Sequence, residues 1–203
     1  PATDEAERAS AFGTLAQGLE RAAHLVQQLL GLARQDPSAG EREVADVELG
    51  EIAAEVVSRY ATLADSRGID LGLAQRDPNL VVRGERDGIG TMLSNLVDNA
   101  LRYTSRGGRV DVSALRAAEG PTLQVVDTGP GIAAQDRERV FDRFYRRADA
   151  DQPGSGLGLA IVRSVAQRHR ARVALDSGPD GIGLAARVIF PIGGRVLHGA
   201  RNN

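Results

Sequence analysis

The chain has no cysteine, which rules out disulfide bonds and thiolate metal sites. It has no stretch approaching the roughly 20 apolar residues that cross a bilayer, and no secretory leader is expected in these residues. The 203 residues as they stand therefore read as soluble. Neither sign of charge dominates: 25 basic side chains against 27 acidic ones leave a formal net charge of −2. No basic field exists for nucleic acid, and no nucleic-acid partner is expected. Aromatic residues are scarce, three Tyr and four Phe. Glycine is abundant at 24, and many of these fall between positions 107 and 158. The hydrophobic fraction of 42% suffices for a core, and the length fits one domain plus an appended element. The opening Pro1-Ala2-Thr3-Asp4 does not read as a natural start, so a piece of a longer protein is expected.

Residues 5–35 carry an a/d seam in Phe12, Leu15, Leu19, Ala22, Val26, Leu29 and Ala33. Leu25, Leu30 and Leu32 widen it, which suits a helix of a four-helix bundle. Asp36-Pro37-Ser38-Ala39-Gly40 breaks the pattern and reads as a linker. Residues 47–66 are again helical by spacing and end at Arg67-Gly68. Alternation at Ile69, Leu71 and Leu73 predicts a strand, and Leu80-Val81-Val82 a second. Residues 86–103 read as a helix, 107–127 as a hairpin, 128–156 as irregular and 157–169 as a helix. Two strands follow, at Val173 and Leu175 and from Leu184 to Phe190, joined by a turn over 177–183; residues 193–203 show no pattern. Strands grouped in hairpins between helices predict an α+β, two-layer sandwich, one mixed sheet covered by helices. The expected domains are a bundle helix and linker over 1–40, a sandwich over 41–192 and a tail over 193–203.

Four motifs bear on chemistry. In the helix over 86–103, Asn95, Asn99 and Arg102 stand at i, i+4 and i+7, so they share one face. Asn is a poor helix-interior residue, and two in register with an Arg suggest a site for a metal ion and an anion. Asp127-Thr128-Gly129-Pro130-Gly131 follows an apolar strand; its carboxylate can accept from an exocyclic amine, and its glycines let backbone approach a flat ring. Phe141-Asp142-Arg143-Phe144-Tyr145-Arg146 gathers three of the seven aromatics and looks like a lid. Gly154-Ser155-Gly156-Leu157-Gly158 runs into a helix, where freed N–H groups and the helix dipole attract phosphate. It is not a P-loop, since no Gly-Lys-Ser/Thr follows.

Taken in order, these motifs resemble the N, G1, F and G2 boxes of the sensor histidine kinases. Their ATP-binding domain has the Bergerat-type fold shared with gyrase, the Hsp90 chaperones and MutL. The resemblance covers roughly 45–192, and residues 20–30 look like the second helix of that family's dimerisation and phosphotransfer hairpin. It implies ATP and Mg²⁺ as cofactors, with Asn99 on the metal. It further implies Asn95 in support, Arg102 on phosphate charge and Tyr103 along the nucleotide. Asp127 is implied on the adenine amino group, with Gly129 and Gly131 shaping the pocket. Phe141 and Phe144 are implied as lid anchors, Arg146 at the γ-phosphate, and Gly154, Gly156, Leu157 and Gly158 along the phosphates. Hydrolytic members of the fold carry a Glu where this chain has Asn95, an amide that takes no proton at neutral pH. Slow ATP hydrolysis is therefore expected.

The resemblance also implies a response regulator as partner, a homodimer through the hairpin bundle, and a cytoplasmic domain of a bacterial inner-membrane protein. The phosphoacceptor of that family lies in a His-Glu motif, and none of His24, His169 and His198 is followed by Glu. The acceptor is thus expected outside these residues. Asp149-Ala150-Asp151-Gln152-Pro153 is expected to move as the lid. An ATPase of the gyrase type, a serine kinase of the anti-sigma type and a non-catalytic scaffold are the alternatives. Asn95 weighs against the first, and the intact Asn99, Asp127 and glycine set against the last.

Overall fold

The computed structural model describes residues 43–145 and 156–192. The heptad segment, His24, Arg146, Gly154, the segment 149–153 and the tail with His198 lie outside the described residues. The described part belongs to a compact unit that opens at Arg42.

Strand β1 (Ala45–Glu48) leads directly into helix α1 (Leu49–Arg67). Glu48 caps α1, its carboxylate accepting from Glu51 N at 2.6 Å, and Gly68 ends it in the left-handed conformation at φ +64°. Strands β2 (Asp70–Arg76) and β3 (Val81–Gly84) follow, then helix α2 (Arg86–Tyr103), the hairpin β4 (Arg109–Ala117) and β5 (Gly120–Asp127), helix α3 (Gly158–Arg168), and strands β6 (Arg172–Ser177) and β7 (Leu184–Ile189). Two single 3₁₀ turns, Ala134–Asp136 and Arg139–Phe141, interrupt the segment after β5.

The five-stranded sheet has the order β2-β4-β5-β7-β6. Only β2–β4 is parallel; the other pairs are antiparallel, so the sheet is mixed as expected. The helices form the second layer, α1 and α2 packing against β4 and α3 against β6. Leu93, Val97 and Leu101 of α2, Leu123 and Val125 of β5, and Val162 and Val165 of α3 are buried between the layers. The helical spacing of α2 and the alternation of β5 both converge on this interface.

Two sequence expectations need correcting. Val47 is not helical; it lies in β1, which the sequence reading did not find. The Leu80–Val82 strand does not join the main sheet. As β3 it pairs antiparallel with β1 in a separate two-stranded ribbon, with Val47 opposite Val82.

Candidate nucleotide site

Helix α2 organises the site because its apolar stripe fixes which residues face elsewhere. Met92, Leu93, Leu96, Val97, Ala100 and Leu101 are buried, so Asn95 and Asn99 stand half-buried along one edge. The Asn95 amide donates to the Thr91 carbonyl at 2.8 Å, which turns its Oδ1 away from its own helix. That oxygen and the Asn99 carboxamide meet the start of α3: a Cβ placed on Gly158 would lie 3.3 Å from Asn95 Oδ1 and 3.3 Å from Asn99 Nδ2. Helix α3 has neither a side-chain cap nor an acidic residue in its first turn. Among the described residues no side chain caps this helix N-terminus, which faces two carboxamides, an arrangement that suits an anion. Leu157 is buried just before it, and Gly156 takes φ +69° where a Cβ would strike Phe144 backbone at 2.8 Å.

Arg102 does not stay with the asparagines. Its Nη2 donates to Asp98 Oδ2 at 2.8 Å, and both side chains are largely buried. Asp98 and Arg102 act electrostatically on Tyr60 of α1, whose hydroxyl is pushed up first by burial and then by Asp98. The three-residue stripe of the sequence is therefore two stripes, Asn95 and Asn99 toward α3 and Asp98 with Arg102 toward α1.

The C-terminal end of α2 meets the second motif. A Cβ on Gly129 would lie 3.0 Å from both the Tyr103 carbonyl and Asp127 Oδ1, while the Tyr103 side chain is exposed. Asp127 ends β5 and is buried. Its Oδ1 accepts from Gly129 N at 2.8 Å and Leu184 N at 3.3 Å. Among the described residues nothing bonds its Oδ2. Burial pushes this carboxyl above its ordinary value, and the two backbone N–H groups pull it part of the way back. Four residues of α2, about 6 Å of helix, separate Asn99 from Tyr103, so the two motifs border one edge of the same helix.

The aromatic motif closes on the glycine motif. Phe144 N donates to the Gly156 carbonyl at 3.0 Å, joining the residues on either side of 146–155. Phe144 holds φ +64° and a largely exposed ring, a conformation that disfavours a bulky residue. Tyr145 is pinned, its hydroxyl to Asp136 at 3.3 Å and its ring under Arg139 at 5.0 Å. Phe141 takes the Arg163 guanidinium 5.7 Å from its ring centre.

The sequence reading passed over Gly183. Its φ is +73°, and a Cβ there would sit 1.7 Å from the Asp127 carbonyl; Gly131, at φ +70°, would meet the Gly183 carbonyl at 2.7 Å. The turn before β7 thus forms a wall of the Asp127 site. Thr104 was passed over as well: it is buried, and its Oγ1 has no hydrogen-bond partner among the described residues.

A mixed sheet backed by helices, with a carboxamide-bearing helix set against a glycine-initiated one, defines the class. The chain belongs to the histidine kinase-, DNA gyrase B- and HSP90-like ATPase family, whose profile matches residues 84–194. Within that family its similarity is to sensor histidine kinases. It is 37% identical over 190 residues to the sensor protein kinase PmrB of Pseudomonas aeruginosa, an alignment covering 92% of this chain and 39% of PmrB. Among solved structures, a mycobacterial sensor histidine kinase, MprB, superposes with a TM-score of 0.63 at 32% identity, over 73% of this chain and 97% of that one. Full-length ShkA in complex with AMPPNP superposes at 0.70 and 29% identity, over 83% of this chain and 35% of ShkA. The chain spans 39% and 40% of the lengths of the curated relatives PmrB and RssA of Serratia marcescens. No described helix is long and apolar enough to cross a membrane.

Proposed function

We propose that this chain is the ATP-binding catalytic part of a sensor histidine kinase, which passes the γ-phosphoryl group of ATP to a histidine for signalling to a response regulator. The observation that carries the reading is the meeting of Asn95 and Asn99 with the uncapped start of α3 at Gly158. In this reading the triphosphate lies between them, and the first-turn N–H groups of α3 hold its oxygens. Asp127 Oδ2 takes the adenine amino group, with Gly129 and Gly131 letting the ring approach. Tyr103 flanks the nucleotide, and Phe144 stands at the edge of the lid. Arg146 and Gly154 complete the set at the γ-phosphate and the phosphate loop. Arg102 works at one remove, fixing Asp98 and the α1 face of α2, unless nucleotide draws it away from that pair.

The donor set suits Mg²⁺. No described group of three His, Cys, Asp or Glu is arranged to hold a metal alone. Mg²⁺ takes few protein ligands and completes its shell with phosphate oxygens and water, so carboxamide oxygen from Asn99, supported by Asn95, fits it. Bound there it neutralises phosphate charge. The chain's own residues position the phosphates and supply no general base, because Asn95 holds its amide against Thr91 and accepts no proton. The site therefore keeps ATP for a nucleophile other than water. That nucleophile is a histidine outside residues 1–203, on a hairpin whose second helix is the heptad segment, and the same bundle forms a homodimer. We propose that the longer protein sits at the bacterial inner membrane with this part in the cytoplasm. The boundaries proposed are 1–40, 41–192 and 193–203.

The test is calorimetric titration of the 203-residue chain with ATP, with and without Mg²⁺, alongside phosphate release. Binding that strengthens with Mg²⁺ and turns over slowly is expected. Fast hydrolysis returns the ATPase alternative, and no binding returns the scaffold.

A further inference from the structure

His169 closes α3 at the end opposite Gly158, and its imidazole is used on both nitrogens. Nδ1 lies 2.8 Å from the Val165 carbonyl, which only accepts, so Nδ1 carries the proton. Nε2 is left as an acceptor and takes the backbone N–H of Glu85 at 3.0 Å. One neutral tautomer alone satisfies both contacts. Glu85 is the N-cap residue of α2, and its side chain makes no capping bond. The imidazole therefore joins the last turn of α3 to the first residue of α2. Sterics hold the ring in place as well. A Cβ on Gly84 would lie 2.5 Å from His169 Cδ2 and 2.8 Å from Nε2, and Phe190 meets the ring edge-on with centroids 6.3 Å apart.

The two helices run antiparallel, with Glu85 beside His169 at one end and Asn95 and Asn99 beside Gly158 toward the other. About 16 Å of α3, and about 15–21 Å of α2, separate these contacts. An α-helix is stiff over that length. Displacing α3 at His169 therefore moves Gly158 relative to the asparagines. Binding geometry of this kind is sensitive to shifts of about 1 Å.

We propose that His169 is a positioning residue for nucleotide binding, a brace at the far end of the α2–α3 pair that sets the spacing of Asn95 and Asn99 from the start of α3. The inference rests on the nucleotide-site reading above. His169 touches no nucleotide. It acts through the two helices that do, through the bond it accepts from the Glu85 N–H.

The 203-residue chain tests this as parent, H169L, H169Q and G84A. Leu removes the acceptor. Gln restores one near the position of Nε2. G84A leaves His169 intact but drives the ring off Glu85 from the other side. ATP affinity with Mg²⁺ is measured by calorimetry at a temperature where circular dichroism shows each variant folded, and the melting temperature is measured in parallel. H169L and G84A should bind ATP about tenfold more weakly, equivalent to about 1.4 kcal/mol, with H169Q within about twofold of the parent. The brace is refuted if folded H169L and G84A bind as the parent does, whatever their melting temperatures, or if H169Q loses as much as H169L. Where H169L does not fold, the brace is refuted if G84A binds as the parent does, or if H169Q loses as much as G84A. A parent that binds no ATP overturns the nucleotide-site reading itself, and this inference with it.

Discussion

Gly158 lies close against Asn99, so that a side chain on it would crowd the carboxamide. A methyl group on it would stand 3.3 Å from Asn99 Nδ2 and 3.4 Å from Oδ1, as well as 3.3 Å from Asn95 Oδ1. Gly158 opens α3 without a positive φ, so alanine suits its backbone. Alanine in place of glycine favours a helix by up to about 1 kcal/mol. The two demands oppose each other, which makes Gly158→Ala informative. The variant should melt no lower than the parent, while Mg²⁺–ATP binds about tenfold more weakly because the carboxamides must give way. Calorimetry and a thermal melt read both quantities. An unchanged affinity would mean that the glycine serves packing alone.

Asn99→Ala separates metal from fold. Asn99 is half-buried at the edge of α2, and no described group bonds its amide, so its loss leaves the core of Leu96, Val97 and Ala100 in place. Stability should stay within about 0.5 kcal/mol of the parent. The gain in ATP affinity on adding Mg²⁺ should shrink by about tenfold or more, the size of a lost metal ligand. Titrations with EDTA and with excess Mg²⁺ give that gain directly. An Asn99→Ala protein whose Mg²⁺ response matches the parent removes Asn99 from the metal site.

Asp127→Asn sets recognition against stability. The amide oxygen of Asn can still accept from Gly129 N and Leu184 N, and the second oxygen becomes an NH₂ donor. Burial raises the native carboxyl of Asp127, so the native state holds its proton more tightly than the unfolded chain. Above that raised value the buried charge is a cost, and the cost is relieved as pH falls through it. At pH 7 the variant should therefore melt at or above the parent temperature. The gap should narrow as pH falls through the raised value, once Asp127 is itself neutral. ATP affinity should fall by at least about tenfold, and the preference for ATP over GTP should collapse, because a donor now faces the purine amine. Nucleotide titrations at pH 7 and melts from pH 7 downward test the two halves. A variant that keeps its preference for ATP ends the assignment of Asp127.

The helices were legible because burial in them is periodic: Leu93, Val97 and Leu101 repeat every four residues and all reach the core. β1 was not, since only Val47 of its four residues is buried and it runs straight into α1. β3 read correctly as a strand, yet its partner could not be known, because Val82 pairs with Val47 across a helix and another strand. Asn95 and Asn99 were legible as a stripe, whereas the Arg102 side chain turns from it to Asp98. Position i+7 from Asn95 is also i+4 from Asp98, and a long guanidinium takes the nearer carboxylate. Gly183 left no local trace. Its contact with the Asp127 carbonyl joins residues 56 positions apart, and only the β5–β7 pairing brings them together.

That contact separates two kinds of glycine within one turn. Gly181 and Gly183 both hold positive φ, +76° and +73°. Nothing lies within 4 Å of a Cβ on Gly181, whereas one on Gly183 would sit 1.7 Å from the Asp127 carbonyl. Gly181→Ala should therefore cost only the left-handed strain, about 1–2 kcal/mol, and leave ATP affinity unchanged. Gly183→Ala carries the same strain and in addition must push backbone away from Asp127. It should cost more than about 3 kcal/mol and weaken ATP binding in whatever fraction folds, because the carboxylate moves with its own carbonyl. Urea unfolding of the two variants side by side, with ATP titration of each, makes the comparison. Equal losses of stability from both would show that the wall at Gly183 yields, and that Asp127 is not held by it.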